Sequence, residues 1–164
     1  MANWFSKKTK SKTVEIAAPL SGVSVPLTEV PDEAFAGKHM GDGVAIQPSE
    51  GVLSAPFDGI VAHLIDTHHA VIVEHATGLQ LLLHIGINTV GLRGKGFHAL
   101  VKTGDKIKAG QPLIEFDQAV LMEAGYPTIT PVVIANQEIV EKIECRFEPV
   151  KRGEERLITA ALQA

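Results

Sequence analysis

The fold is decided by one stretch: His69-Ala70-Val71-Ile72-Val73-Glu74-His75, then Ala76-Thr77-Gly78, then Leu79-Gln80-Leu81-Leu82-Leu83-His84-Ile85-Gly86. Two apolar runs flank a three-residue turn, and Gly78 sits where the chain most needs a positive φ, so the stretch predicts a β-hairpin. A loop of two to four residues sets His69 opposite residue 84, 85 or 86. The imidazoles of His69 and His84 then become neighbours at the open end of the hairpin. A slip of one residue moves a side chain to the other face, and only the even registers put both histidines on one side. A single histidine in a strand is ordinarily a core or edge residue; two converging at one hairpin end make a candidate site.

Outside the hairpin, 164 residues are enough to bury an apolar core without disulfides. Hydrophobic residues make up 45% and charged residues 21%, a globular composition, and with only 5% aromatics the core must be aliphatic. The net charge of −4 gives no electrostatic basis for binding nucleic acid. The single cysteine, Cys145, can form no internal disulfide, which fits a cytoplasmic chain. No apolar run reaches bilayer-spanning length. Fifteen glycines and nine prolines punctuate short β-branched runs, the pattern of an all-β antiparallel sandwich or barrel with short helical turns. Strands are expected at residues 14–17, 22–25, 43–47, 52–54, 59–64, 99–101, 112–116, 132–134 and 157–160, besides the hairpin. Asp117 is placed to cap a short helical turn through Met122, and Asn136 to cap one over residues 137–142.

An internal echo links Ala18-Pro19-Leu20-Ser21-Gly22 with Ala55-Pro56-Phe57-Asp58-Gly59, each leading into a strand. It reads as a reused turn, or as the mark of duplicated half-units. Residues 102–113 read as a turn–strand–turn with lysine-protected edges. Gly41-Asp42-Gly43 and Gly94-Lys95-Gly96 lack the strand-to-helix context of a phosphate-binding loop.

From about Val14 to Ile158 the chain resembles the glucose-type enzyme IIA of the bacterial sugar phosphotransferase system. The resemblance rests on Ala18-Pro19-Leu20-Ser21-Gly22, Val30-Pro31-Asp32, Gly41-Asp42-Gly43-Val44-Ala45-Ile46 and Ala55-Pro56-Phe57-Asp58-Gly59. Its most specific part is Leu83-His84-Ile85-Gly86-Ile87-Asn88-Thr89-Val90 followed by Gly94-Lys95-Gly96-Phe97. Ile114-Glu115-Phe116-Asp117 and Thr130-Pro131-Val132-Val133-Ile134 complete it. It implies a sandwich of the duplicated hybrid-motif type. It also implies a phosphotransferase component with a phosphohistidine intermediate, taking phosphate from the carrier protein HPr and passing it to the IIB domain of a permease for glucose or a related sugar.

On this resemblance His84 is the phosphoryl acceptor, His69 stabilises the phosphate, Thr67 orients the site, and the carbonyl of Gly86 fixes the tautomer of His84. The chemistry suits imidazole, which is substantially unprotonated near neutral pH and nucleophilic without prior activation. An apolar docking collar is expected from Phe35, Met40, Leu82 and Val90, with Asn88 beside them. Two departures stand out: Asn88 where the family usually has Asp, and Gln80 where Glu is common. Both remove charge that would steer a basic partner.

No cofactor is required on this reading, although His69 and His84 are a possible pair of ligands for adventitious or partner-shared zinc. A zinc hydrolase is a rival, but it needs a third protein ligand, and neither His-x-His nor His-Glu-x-x-His spacing occurs. A purely regulatory module on the same fold is a second rival. The domain is expected to span residues 14–164. Residues 1–13 read as a flexible basic tail in which Trp4, Phe5 and four lysines suit weak contact of residues 1–12 with an anionic membrane surface.

Overall fold

A computed structural model describes residues 12–164. The aromatic and lysine-rich stretch before Lys12, with its expected membrane contact, lies outside the described residues. The main sheet has eight strands. In spatial order they are β13 (Pro149–Val150), β2 (Gly22–Pro26), β3 (Gly43–Pro48), β11 (Thr130–Ile134), β7 (Gln80–His84), β6 (Ala70–His75), β5 (Gly59–Leu64) and β9 (Lys106–Ile107). Two three-stranded sheets share a core with it. One is β1 (Thr13–Ile16), β14 (Ile158–Leu162) and β12 (Val140–Cys145); the other is β4 (Val52–Ser54), β10 (Pro112–Phe116) and β8 (Phe97–Ala99). All pairings are antiparallel.

The central strands are apolar on both faces, which is why the hairpin reads as a continuous hydrophobic run. Leu81, Leu83, Val132, Ile134, Val44 and Ile46 face the main core. The residues between them, Leu82, Val133 and Ala45, face a second cluster with Leu27, Val30, Phe35 and Ala70. That cluster is covered by residues 27–36, including the short helix α1 (Glu33–Ala36), whose N-cap Asp32 accepts from the Ala34 amide at 2.9 Å. Leu82 was expected on an exposed collar. Alternation does put it on the His84 face, but residues 27–36 cover that face and leave Leu82 buried in this second cluster, at 8% exposure.

The sequence echo is structural. Read from either edge, the main sheet presents the same series, β13-β2-β3-β11 and β9-β5-β6-β7, so an approximate two-fold axis passes between β11 and β7. The echoed turns bond each other reciprocally: Ala17 N–H donates to Pro56 C=O at 3.0 Å and Ser54 N–H to Pro19 C=O at 2.8 Å. Each is also held by an equivalent corner, through Gly153 N–H to Ala18 C=O and Gly110 N–H to Ala55 C=O, both 2.8 Å. A Cβ at Gly22 or Gly59 would lie 2.1 Å from the carbonyl oxygen of Gln47 or Glu74, so both turns exclude a side chain.

Three local expectations shift. The strand expected at residues 99–101 runs Phe97–Ala99, because Phe97 pairs with Phe116 and Ala99 with Ile114. Asn136 caps no helix over residues 137–142; a 3-10 turn, Gln137–Ile139, gives way to β12. The Asn136 amide is used across the hairpin instead, its Oδ1 accepting from Gln80 N and its Nδ2 donating to Gly78 O, both at 2.8 Å. The lysine-edged strand expected within residues 102–113 is β9, at the edge of the main sheet. Asp117 does cap a helix, α2 (Gln118–Glu123), through the amides of Ala119 and Val120.

Candidate functional site

The hairpin closes as expected through Gly78, at φ 94°, and pairs Glu74 with Gln80 and Ala70 with His84. His84 is the last residue of β7 and projects to the Leu82 face. In this register His69 lies opposite Ile85, whose amide donates to the His69 carbonyl at 2.8 Å. Strict alternation would place the two histidines on opposite faces. The rings are nevertheless 5.0 Å apart at an interplanar angle of 81°. His69 precedes the ladder and follows His68, which is in the left-handed region at φ 61°, so its side chain is set by the turn rather than by the pleat.

Each imidazole is held by its Nδ1. That of His84 lies 2.7 Å from the carbonyl oxygen of Gly86. A carbonyl only accepts, so the Nδ1 of His84 carries the proton and Nε2 keeps its lone pair. The Nδ1 of His69 lies 2.6 Å from the Thr67 hydroxyl. Gly86 reaches this position with a φ of 71°, beside Thr89 and the Pro127 carbonyl. The Phe35 ring sits 5.2 Å from that of His84 and the Phe97 ring 6.4 Å from that of His69. Phe35 is therefore a buried neighbour of His84, at 5% exposure, rather than part of an exposed collar.

Burial pushes His84 below the usual imidazole range, opposed by its hydrogen bond to Gly86 and by the Asp32 carboxylate. His69 is lowered further, to about 4, first by burial and then by repulsion from His84. Both rings are thus neutral at neutral pH, with one nucleophilic nitrogen and one potential donor side by side.

Of the remaining candidates, Met40 at 44%, Val90 at 55% and Asn88 are exposed. Asn88 adopts a φ of 62° at the start of the 3-10 turn Thr89–Leu92. Gln80 shares the His84 face but lies at the turn end of β7, its amide donating to Glu74 Oε1 at 2.8 Å. The missing charge at Gln80 is therefore removed from the far end of the strand, not from beside the histidines. Among the described residues no three His, Cys, Asp or Glu side chains are grouped to hold a metal ion, so the third ligand of a zinc hydrolase is not supplied there. No helix among the described residues is long and apolar enough to cross a membrane.

The family model of the phosphoenolpyruvate-dependent sugar phosphotransferase system, EIIA 1, matches residues 14–140. The chain belongs to this family. The glucose-specific EIIA component of Oceanobacillus iheyensis is 40% identical over 153 residues, 93% of each chain. That of Bacillus cereus is 44% identical over 140 residues, 85% of each. Among solved structures, the glucose permease IIA of Mycoplasma capricolum superposes with a TM-score of 0.81 at 31% identity, covering 90% of this chain and 96% of that one. As a IIA component, the protein is a phosphoryl carrier in sugar transport.

Two residues that bond the Gly86 turn stand in the stretches that carry the resemblance, yet no role in the site is readable for either from sequence. Thr89 and Thr130 are both fully buried and both bond the turn that carries Gly86. A threonine in a strand or after a turn carries no signal that separates it from an ordinary β-former.

Proposed function

We propose that His84 accepts a phosphoryl group from phosphorylated HPr through Nε2 and passes it to the IIB domain of a cytoplasm-facing sugar permease. The observation that carries this reading is the 2.7 Å bond from His84 Nδ1 to the Gly86 carbonyl. It presents the Nε2 lone pair without any step of deprotonation. As the new N–P bond forms, the N–P bond to the donor imidazole breaks, and no water takes part. Burial that disfavours charged imidazole keeps His84 neutral and ready to attack.

His69 does not carry the group. The Thr67 hydroxyl can donate to its Nδ1, and in that tautomer the proton of the neutral ring sits on Nε2, where it can be donated to a phosphoryl oxygen as charge develops there. Positioning and hydrogen bonding are then the main catalytic contributions, as phosphoryl transfer requires. Met40, Val90 and Asn88 form the exposed rim offered to partners. Glucose is the sugar named for the relatives, and we place this chain in glucose uptake. Two imidazoles alone leave tetrahedral zinc short of ligands, so any zinc here would need the remainder from a partner.

The test is incubation with phosphoenolpyruvate, enzyme I and HPr, then phosphosite mapping under alkaline conditions. Wild type is expected to carry phosphate on His84, and His84→Ala none. Wild-type labelling of His84→Ala would refute the assignment.

A further inference from the structure

Two consecutive peptide units, Ile85–Gly86 and Gly86–Ile87, stand between the acceptor histidine and the rest of the fold. All four of their polar groups have partners. The Gly86 carbonyl accepts from His84, and on the same peptide unit the Ile87 amide donates to the Pro127 carbonyl at 3.1 Å. On the preceding unit the Ile85 carbonyl accepts from the Thr89 hydroxyl, and the Gly86 amide donates to the Thr130 hydroxyl at 3.4 Å. Thr130 in turn donates to the Thr128 carbonyl at 3.0 Å, and the Thr128 hydroxyl accepts from Gln47 Nε2 at 2.7 Å.

Thr89 and Thr130 are both 0% exposed, so neither hydroxyl can be replaced by solvent without rearrangement. They approach the Ile85–Gly86 unit from opposite ends, one holding its C=O and the other its N–H. That unit sets the direction in which the next carbonyl, that of Gly86, points. Rotation of the Gly86 carbonyl by a few tens of degrees would break a bond that weakens steeply away from linearity. His84 would then lose the partner that selects its tautomer.

We infer that Thr130 and Thr89 are positioning residues for phosphoryl transfer, clamping the Ile85–Gly86 peptide so that the Gly86 carbonyl holds His84 with Nε2 free. Neither touches the phosphoryl group. The inference rests on His84 being the acceptor. It makes the acceptor dependent on β11, which supplies Thr130 from the other half of the main sheet.

The experiment uses the full chain with ¹⁵N-labelled histidine. Long-range proton–nitrogen spectra report the tautomer of His84, and labelling by phosphorylated HPr reports the rate. Wild type is expected to show a protonated Nδ1 and an unprotonated Nε2. Thr130→Val and Thr89→Val are expected to mix the tautomers. Their labelling rate at saturating donor should fall on the order of tenfold, with little change in the half-saturating concentration. Thr130→Ser and Thr89→Ser keep the hydroxyl and are expected to restore both readouts. They also decide the matter if a valine variant fails to fold. A folded valine variant with the wild-type tautomer and rate would overturn the inference, as would serine variants as slow as the valines. Wild type labelled elsewhere than His84 would instead overturn the acceptor assignment, and the tautomer spectrum, which needs no donor, would still decide the clamp.

Discussion

Replacing Gly86 with alanine separates backbone strain from crowding at the turn that follows His84. Gly86 has a φ of 71°, where an L-residue pays roughly 1–2 kcal/mol. The new Cβ would lie 2.6 Å from Thr89 Cγ2 and 2.8 Å from the Pro127 carbonyl oxygen. Neither atom can retreat easily: Thr89 is fully buried, and the Pro127 carbonyl already accepts from Ile87. Overpacking of this kind costs about 1–3 kcal/mol, so the total is expected at about 2–5 kcal/mol. Gly78→Ala is the control. Its φ is 94°, but nothing lies within 4 Å of its Cβ, so it should lose the strain alone. Urea unfolding of both variants at neutral pH measures the difference. Gly86→Ala should also accept phosphate more slowly, because the shifted carbonyl loosens its hold on His84. If the two variants unfold within about 0.5 kcal/mol of each other, the crowding argument is wrong.

His69→Gln should still be labelled on His84 by phosphorylated HPr but deliver phosphate to a IIB domain more slowly; equal delivery would remove His69 from the transfer step. Because His69 is held at about 4, below its unfolded value near 6.5, the unfolded chain binds the extra proton. Stability is therefore expected to fall as the pH drops from about 6.5 toward about 4, with His69 accounting for roughly 1–2 kcal/mol of the loss at pH 5. Urea midpoints of wild type and His69→Gln at pH 7 and pH 5 check this, and parallel losses in the two chains would contradict it. Leu82→Ala should cost about 2–5 kcal/mol, as a core truncation does; a loss within error would return Leu82 to the surface.

The hairpin was legible because its register follows from a short turn and an apolar run, and local rules govern both. The histidine pair was legible only as proximity. Its face could not be settled by parity, because His69 lies beyond the ladder and takes its direction from His68 at φ 61°. Leu82 is buried because the 27–36 segment covers its face of the sheet, which strand parity does not reveal; Phe35, placed on the collar by resemblance, is part of that segment and packs inward. The capping signal at Asn136 favours a helical turn over residues 137–142, but from Val140 onward the chain pairs with β14, 13 or more residues away, and the tertiary pairing wins. Thr89 and Thr130 acquire their roles only where distant chain segments meet.

The approximate two-fold axis between β11 and β7 has a consequence for folding kinetics. The β6–β7 hairpin closes between near neighbours in sequence and can form in microseconds. Thr130 meets Gly86 across 44 residues, and Gly43 must find Val133 for β11 to dock on its other side. Such non-local pairings come late and slowly. The nascent hairpin therefore brings the two histidines close long before the carbonyl that selects the tautomer is fixed. Full speed of phosphate acceptance is expected only once β11 has docked, so the rise in labelling rate as chains refold would be a clock for the joining of the two half-sheets.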